Sequence, residues 1–274
     1  MICIVVGSHL MQISGSTVLL TGATGGIGHA IARELHGRGA KLILTGRRTD
    51  VLEPLAAELK ARSLAVDLSD PTEVDRLLSE AGEVDILVAN AALPGSGTLE
   101  SFSLEQIDRA LDVNLRAPIV MARVLAPAMT ARGGGHLLFV SSLSGKAAAA
   151  QSSLYSATKF GLRGFSLGLR ADLHASNVGV SVVCPGFIRD AGMFADAEVK
   201  LPKGVGTRSP QDVALAVASA IERNRAEVDV APLALRAGAI FAGIAPQTAA
   251  TVTRKTGGDE IASALAAGHS DAKR

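Results

Sequence analysis

The chain alternates short apolar runs with longer stretches in which apolar residues recur every three or four positions. Thr17 to Leu20 is the first run, and Ile27, Ala30, Ile31 and Leu35 follow at helical spacing. Lys41 to Leu44 comes next, with a helix from about Asp50 to Ala61, then Ser63 to Val66. Asp70 and Pro71, with Glu73 three positions on from Asp70, mark a further helix start. Asp85 to Ala89, His136 to Val140, Val178 to Val183 and Val228 to Ala231 complete seven predicted strands. Helical patterns run from Leu104 to about Ala131, onward from the fifth strand to about Ala175, and from Ser209 to about Arg223. Uninterrupted apolar runs are what strands buried on both faces look like. Their alternation with helices predicts an α/β, doubly wound, seven-stranded parallel sheet with helices on both faces. Residues 16–231 read as one domain, 1–15 as an N-terminal extension and 232–274 as a helical or apolar extension, frayed from His269 to Arg274. Met11 is an alternative start.

Composition narrows the chemistry. Aromatic residues are only 3% of the chain against 48% hydrophobic, so the core must be aliphatic. Lys and Arg number 27 and Asp and Glu 26, a net charge of +1 that argues against general affinity for a nucleic-acid backbone. Anion recognition must therefore be local. Cys3 and Cys184 lie far apart, which gives neither a disulfide framework nor a zinc site and points to a reducing cytoplasm. His9, His29, His36, His136 and His174 form no ligand pattern, and no metal is expected. The apolar start lacks the basic segment and cleavage site of a signal peptide. Ala231 to Pro246 is interrupted by Arg236 and too short to span a bilayer, so packing against the domain or a second subunit is expected, with contact at a membrane interface the lesser alternative.

The polar motifs fall at the ends of the predicted strands. Thr21-Gly22-Ala23-Thr24-Gly25-Gly26-Ile27-Gly28 lies between a strand and a helix. In that context a glycine-rich turn lets backbone N–H groups approach a pyrophosphate at a helix N-terminus, the signature of a dinucleotide-binding Rossmann fold. A plain tight turn is the alternative. The second strand ends in Arg47 and Arg48 where an NAD-binding protein carries an acid, and either arginine suits the 2′-phosphate of NADP; two solvated arginines would look the same. Asp67, with Leu68, follows the third strand; Asp70 takes the capping position, which leaves the Asp67 carboxylate for an adenine amino group or for a loop contact. Asn90-Ala91-Ala92 is small enough for backbone to lie against a cofactor, although Asn90 could simply tie neighbouring strands. Pro118 has no N–H, so the carbonyl of Asn114 loses its helical partner and is open to a water molecule. Tyr155 and Lys159 stand one helical turn apart on one face, thirteen residues beyond Ser142. A cation beside a phenol favours phenolate and draws the tyrosine pKa down from about 10. Gly161, Gly164 and Gly168 share one side of the same helix, and Cys184 reads as a small buried residue. The mixed segment from Phe187 to Arg208 is a natural loop over a substrate. Phe187, Met193 and Phe194 there suit an apolar ketone such as a lipid or steroid, or merely seal the pocket.

Together these residues resemble the short-chain dehydrogenase/reductase family, and its classical subgroup most closely, over about Ser16 to Ala231. Thr21-Gly22-x-x-x-Gly26-x-Gly28 matches the cofactor loop, and Asn90-Ala91-Ala92 the Asn-Ala-Gly motif with Ala92 for glycine. Asn114, Ser142, Tyr155 and Lys159 match the catalytic set. The glycine spacing also fits the family's extended subgroup of epimerases and dehydratases; the short chain, the close Ser142 to Tyr155 spacing, Asn114 and Pro185-Gly186 favour the classical one. The resemblance implies hydride transfer between NADP(H), favoured over NAD(H), and a small-molecule carbonyl or secondary alcohol. Tyr155 would be the acid or base, Lys159 would lower its pKa and bind the nicotinamide ribose, Ser142 would orient the substrate oxygen and Asn114 would hold a relay water. The cofactor would rest on Gly22, Thr24, Gly26, Ile27, Gly28, Arg47, Arg48, Asp67, Leu68, Asn90, Ala91, Tyr155, Lys159, Pro185, Gly186 and Ile188. A homodimer or homotetramer is expected. One position departs: Asp190 stands where the family often has the threonine that holds the carboxamide. A non-catalytic dinucleotide sensor or scaffold, and a sugar epimerase or dehydratase, are the alternative readings.

Overall fold

The computed structural model describes residues 11–197, 199 and 205–268. Cys3, His9 and the expected frayed end from His269 lie outside the described residues, as do 198, 200 and 201–204 within the segment following Phe187. Seven parallel strands form one sheet in the order β3-β2-β1-β4-β5-β6-β7. They are β1 (Thr17–Thr21), β2 (Lys41–Gly46), β3 (Arg62–Ala65), β4 (Ile86–Ala89), β5 (Gly135–Val140), β6 (Val178–Pro185) and β7 (Glu227–Val230). Val18 pairs with Leu42 on one side and with Ile86 on the other, which puts β1 between β2 and β4, beside the central strand β4.

Strand side chains alternate faces, and each face has its own core. Val18 and Leu20 of β1, Ile86 and Val88 of β4 and Leu138 and Val140 of β5 pack against α1 (Gly26–Gly37), α2 (Thr49–Glu58) and α8 (Pro210–Glu222). Leu19, Leu87, Leu137 and Phe139 point the other way. They meet α3 (Pro71–Ala81), α5 (Ala117–Ala131) and α6 (Ser153–Asp172). This two-sided burial explains why the strands read as continuous apolar runs. Phe139 is fully buried and meets Phe165 of α6 edge-on, with ring centroids 5.6 Å apart. The helix starts carry the expected caps: Asp70 accepts from the Thr72 N–H (2.8 Å), and Ser209 and Asp212 form a reciprocal box.

The long helical pattern from Leu104 is not one α-helix. It is α4 (Leu104–Leu111), a wider π-turn over Asp112–Arg116, then α5. Pro118 supplies the reason, since it cannot donate to the carbonyl four residues back; the chain widens, and the Ala117 N–H bonds to the Asp112 carbonyl. Of the glycines on α6, Gly161 lies against Leu115, whereas Gly164 and Gly168 face open space. Beyond β7 the apolar extension forms α9 (Leu233–Ile244), α10 (Pro246–Lys255) and α11 (Gly258–Gly268). A short helix, α7 (Met193–Asp196), lies in the segment after β6. The end of α11 packs directly on that segment, so closely that a side chain at Gly268 would meet the Cα of Ala197 at 2.6 Å.

Candidate active site

A cleft of about 1210 Å³ lies along the carboxyl ends of the strands. That exceeds the roughly 300–1,000 Å³ of a single small-molecule site. At its centre the glycine turn comes close to neighbouring backbone. Gly22 has φ +66°, and a Cβ there would sit 2.7 Å from the Cα of Ala91; one at Gly28 would sit 2.1 Å from the Gly22 carbonyl oxygen. Only glycine fits either position. The first turn of α1 holds no acidic residue, and its N-cap, Gly25, has no capping side chain. Free N–H groups at that helix end suit an anion such as a pyrophosphate. Asn90 donates from Nδ2 to the carbonyls of Thr21 (3.1 Å) and Gly22 (3.2 Å), while the N–H groups of Asn90 and Ala91 both donate to Thr21 Oγ1. Asn90 thus braces the turn against β4.

Arg47 and Arg48 both line the cleft at the end of β2. Arg48 donates to the Thr24 carbonyl, and Arg47 lies 3.8 Å from Asp67. Asp67 makes the loop contact of its two expected roles, accepting from the N–H (3.0 Å) and hydroxyl (2.7 Å) of Ser69. A short polar side chain next to a loop N–H closes an Asx turn readily. Arg109 of α4 reaches the same carboxylate from the other side, at 3.6 Å. Thr24, Gly26, Ile27, Leu68, Pro185, Gly186 and Ile188 also line the cleft.

Ser142, Tyr155 and Lys159 converge between β5 and α6. Ser142 follows β5 and caps a short turn, Leu143–Gly145, by accepting from the Ser144 N–H (3.1 Å). Its hydroxyl also donates to the Pro185 carbonyl (3.5 Å) and favours ionisation of the nearby Tyr155 phenol. Lys159 is 1% exposed; its Nζ donates to the Val140 carbonyl (3.0 Å) and lies 5.6 Å from the Tyr155 ring centroid. The electrostatics differ from the sequence expectation. Burial dominates and pushes the phenol up to about 12, with the Ser142 hydroxyl opposing it, and burial lowers the Lys159 ammonium to about 8. The spacing places the cation beside the ring, but enclosure outweighs it. Asn114 is fully buried, and its side chain is committed. It accepts from the Leu93 N–H (2.7 Å) and donates to the Leu93 carbonyl (3.0 Å) and Thr158 Oγ1 (3.3 Å), which clamps the end of β4 to α6.

Asp190 turns outward. Its side chain is 70% exposed, with Arg189 Nε at 3.4 Å, and its φ is +67°. Its place over the glycine turn is taken by Ala191, whose Cβ a side chain at Gly26 would meet at 2.3 Å. His136 is structural: its Nε2 lies 2.9 Å from Ser181 Oγ, and burial lowers it to about 3. Among the described residues no cluster could hold a metal ion.

Two features have no counterpart in the motif reading. Lys146, on the cleft wall, is paired with Glu227 and Asp229 of β7, both at 2.6 Å. Glu227 is further bonded by Arg163. The alternating acids of β7 are a readable signal, although nothing in the sequence names their partner. The second feature is the C-terminal extension. Leu235, Gly238, Ala242 and Ala249 line the cleft, and Gln151, beyond Ser142, donates to Ser263 of α11 (2.7 Å).

A doubly wound sheet with a glycine turn after β1 and an enclosed serine, tyrosine and lysine after β5 defines a dinucleotide-binding oxidoreductase. The chain belongs to the short-chain dehydrogenase family, whose model matches residues 16–201. It is 36% identical over 230 residues to the ketoacyl reductase HetN of a Nostoc species, covering 81% of this chain and 80% of that one. It is 31% identical to an Anopheles gambiae dehydrogenase/reductase family 7-like protein, covering 89% and 84%. Among solved structures it resembles a Sphingobium yanoikuyae short-chain dehydrogenase in complex with NADPH, with TM-score 0.74, 27% identity and coverage of 85% and 94%. A Brucella melitensis 3-ketoacyl-(acyl-carrier-protein) reductase complexed with NADH gives TM-score 0.71, 27% identity and coverage of 80% and 97%. No helix among the described residues is long and apolar enough to cross a membrane.

Proposed function

We propose that the chain interconverts carbonyl compounds and secondary alcohols with a nicotinamide dinucleotide, NADP(H) in preference to NAD(H). The observation that carries this is the enclosed meeting of Ser142, Tyr155 and Lys159 on the same cleft as the glycine turn. The nicotinamide cofactors held by the Sphingobium and Brucella structures support it. When bound, the nicotinamide supplies hydride to the carbonyl carbon in reduction and accepts it in oxidation. In reduction Tyr155 gives its phenolic proton to the carbonyl oxygen, and in oxidation the phenolate takes the alcohol proton. A phenol held at about 12 rests in the acid form, ready to donate. Ser142 donates to the same oxygen and orients it. Lys159 stabilises the phenolate left behind, and with a pKa of about 8 it is mostly charged at neutral pH. The main-chain carbonyl of Asn114 is assigned the water that passes a proton outward. Arg47 and Arg48 are assigned the 2′-phosphate, and a homodimer or homotetramer in a reducing cytoplasm is the assembly and setting we infer.

The test is separate titration of NADPH and NADH into the wild type and into the chain carrying Arg47→Ala with Arg48→Ala. NADPH should bind at least about tenfold more tightly, since charge-assisted bonds contribute roughly 1.5–3 kcal/mol each, and the double variant should lose that preference. Equal affinities in the wild type would remove the arginines from the cofactor site.

A further inference from the structure

The cleft is larger than one ligand requires, and its charge is uneven. Among the described residues the charged side chains that line it are Arg47, Arg48 and Asp67 near the ends of β2 and β3, and Lys146 and Lys159 beside Ser142 and Tyr155. Among the described residues the rest of the wall beyond Tyr155 carries no charge. It is built from the Ala147–Ala149 stretch, from Phe187 and Phe194, whose rings meet at a 47° tilt with centroids 5.0 Å apart, and from one face of α9. Six positions of α9 between Ala234 and Gly243 line the cleft, so the helix offers its wall over about 14 Å at 1.5 Å per residue. The inward residues are small, except Leu235, while Leu233, Ile240 and Ile244 point to solvent at 76%, 58% and 78% exposure. α9 does not fill this space with its own large side chains; it turns them away. Pro246 and Ala249 of α10 and Leu265 of α11 continue this wall beyond α9. The part of this wall that α9, α10 and α11 supply lies outside the stretch that the family model matches.

We propose, resting on the reductase reading above, that this compartment takes an extended, unbranched apolar chain attached to the reacting carbonyl, and that α9 sets its length through Gly238 and Ala242. A chain lying along 14 Å of helix at about 1.2 Å per bond spans roughly ten to twelve bonds. An uncharged wall favours methylene groups over a second charged or strongly polar end, which would be desolvated without a partner.

The experiment is steady-state reduction, with NADPH, of a homologous series of straight-chain methyl ketones by the full chain. The specificity constant should rise by up to about threefold to fourfold per added methylene, then level off or fall once the compartment is full. Gly238→Leu and Ala242→Leu should move the optimum to shorter chains and cut the long-to-short ratio by at least about tenfold. NADPH affinity checks that each variant is folded, and the milder Ala242→Val should shift the ratio the same way by a smaller factor. A wild type that reduces short and long ketones equally would overturn the proposal while leaving the reductase reading intact, as would variants that slow every length alike. Failure to reduce any ketone while NADPH still binds would instead overturn the reductase reading and this proposal with it.

Discussion

Lys159 shows how function is set against stability at the level of one side chain. It is enclosed next to a phenol with one carbonyl to bond, and burial lowers its pKa from 10.5 to about 8. Below pH 8 the folded state holds a charged ammonium that water would solvate better. Between about 8 and 10.5 the unfolded chain keeps the proton that the folded chain has released. Stability from this group therefore rises with pH across that window. Lys159→Met should accordingly stabilise the ligand-free protein at pH 7, by about 1–3 kcal/mol after loss of the Val140 bond, while abolishing turnover. Denaturant unfolding at pH 7 and pH 10 measures this, and the gain should shrink at the higher pH. A destabilised variant at pH 7 would mean that the ammonium is well solvated in the fold. Sequence spacing brings Tyr155 and Lys159 together on α6, yet it misjudges the direction of the tyrosine shift, because spacing contains the cation and not the enclosure. For Asp67 the sequence leaves two roles open, and the Ser69 hydroxyl that decides for the loop contact is brought within reach only by the loop geometry.

Among the elements, the turn after β5 and the edge strand β7 act as one piece. Lys146 follows the turn that Ser142 caps, and its ammonium meets two carboxylates of β7 with only 10% of its side chain exposed. The network ties the serine-bearing turn to the sheet. Removing its cation leaves Glu227 and Asp229 half-compensated in a low-dielectric site, since Arg163 serves only Glu227 closely and Arg236 stands 4.0 Å from Asp229. Lys146→Met should cost about 3–5 kcal/mol, measured by thermal or denaturant unfolding. Adding Glu227→Gln and Asp229→Asn should recover most of the loss. If Lys146→Met alone is neutral, water reaches this cluster and it does not hold the turn. At this scale the parallel strands were legible because burial on both faces leaves continuous apolar runs. The break between α4 and α5 was half legible: Pro118 marks it, but whether a helix kinks, stops or widens depends on what packs around it.

For the whole molecule, the catalytic half was more legible than the roof above it. Glycine turn, strand-end arginines and the Ser142, Tyr155 and Lys159 spacing carry chemistry in residue types that have few other reasons to recur together. The C-terminal helices carry none. Alanine, glycine and large apolar residues are mixed along α9, so its pattern does not say which face turns inward; contact with the cleft decides that. The sheet brings the glycine turn, Tyr155 and the apolar wall to one edge, and the proposed function rests on Tyr155 moving the proton there. The most direct measurement is NADPH oxidation in the presence of a straight-chain ketone, by the wild type and by Tyr155→Phe, with NADPH affinity determined for both. The account predicts turnover by the wild type, a rate lower by about 10²–10⁴ for the variant, and similar cofactor binding by the two. Equal turnover by Tyr155→Phe, or tight NADPH binding by a wild type that reduces no ketone, would contradict it.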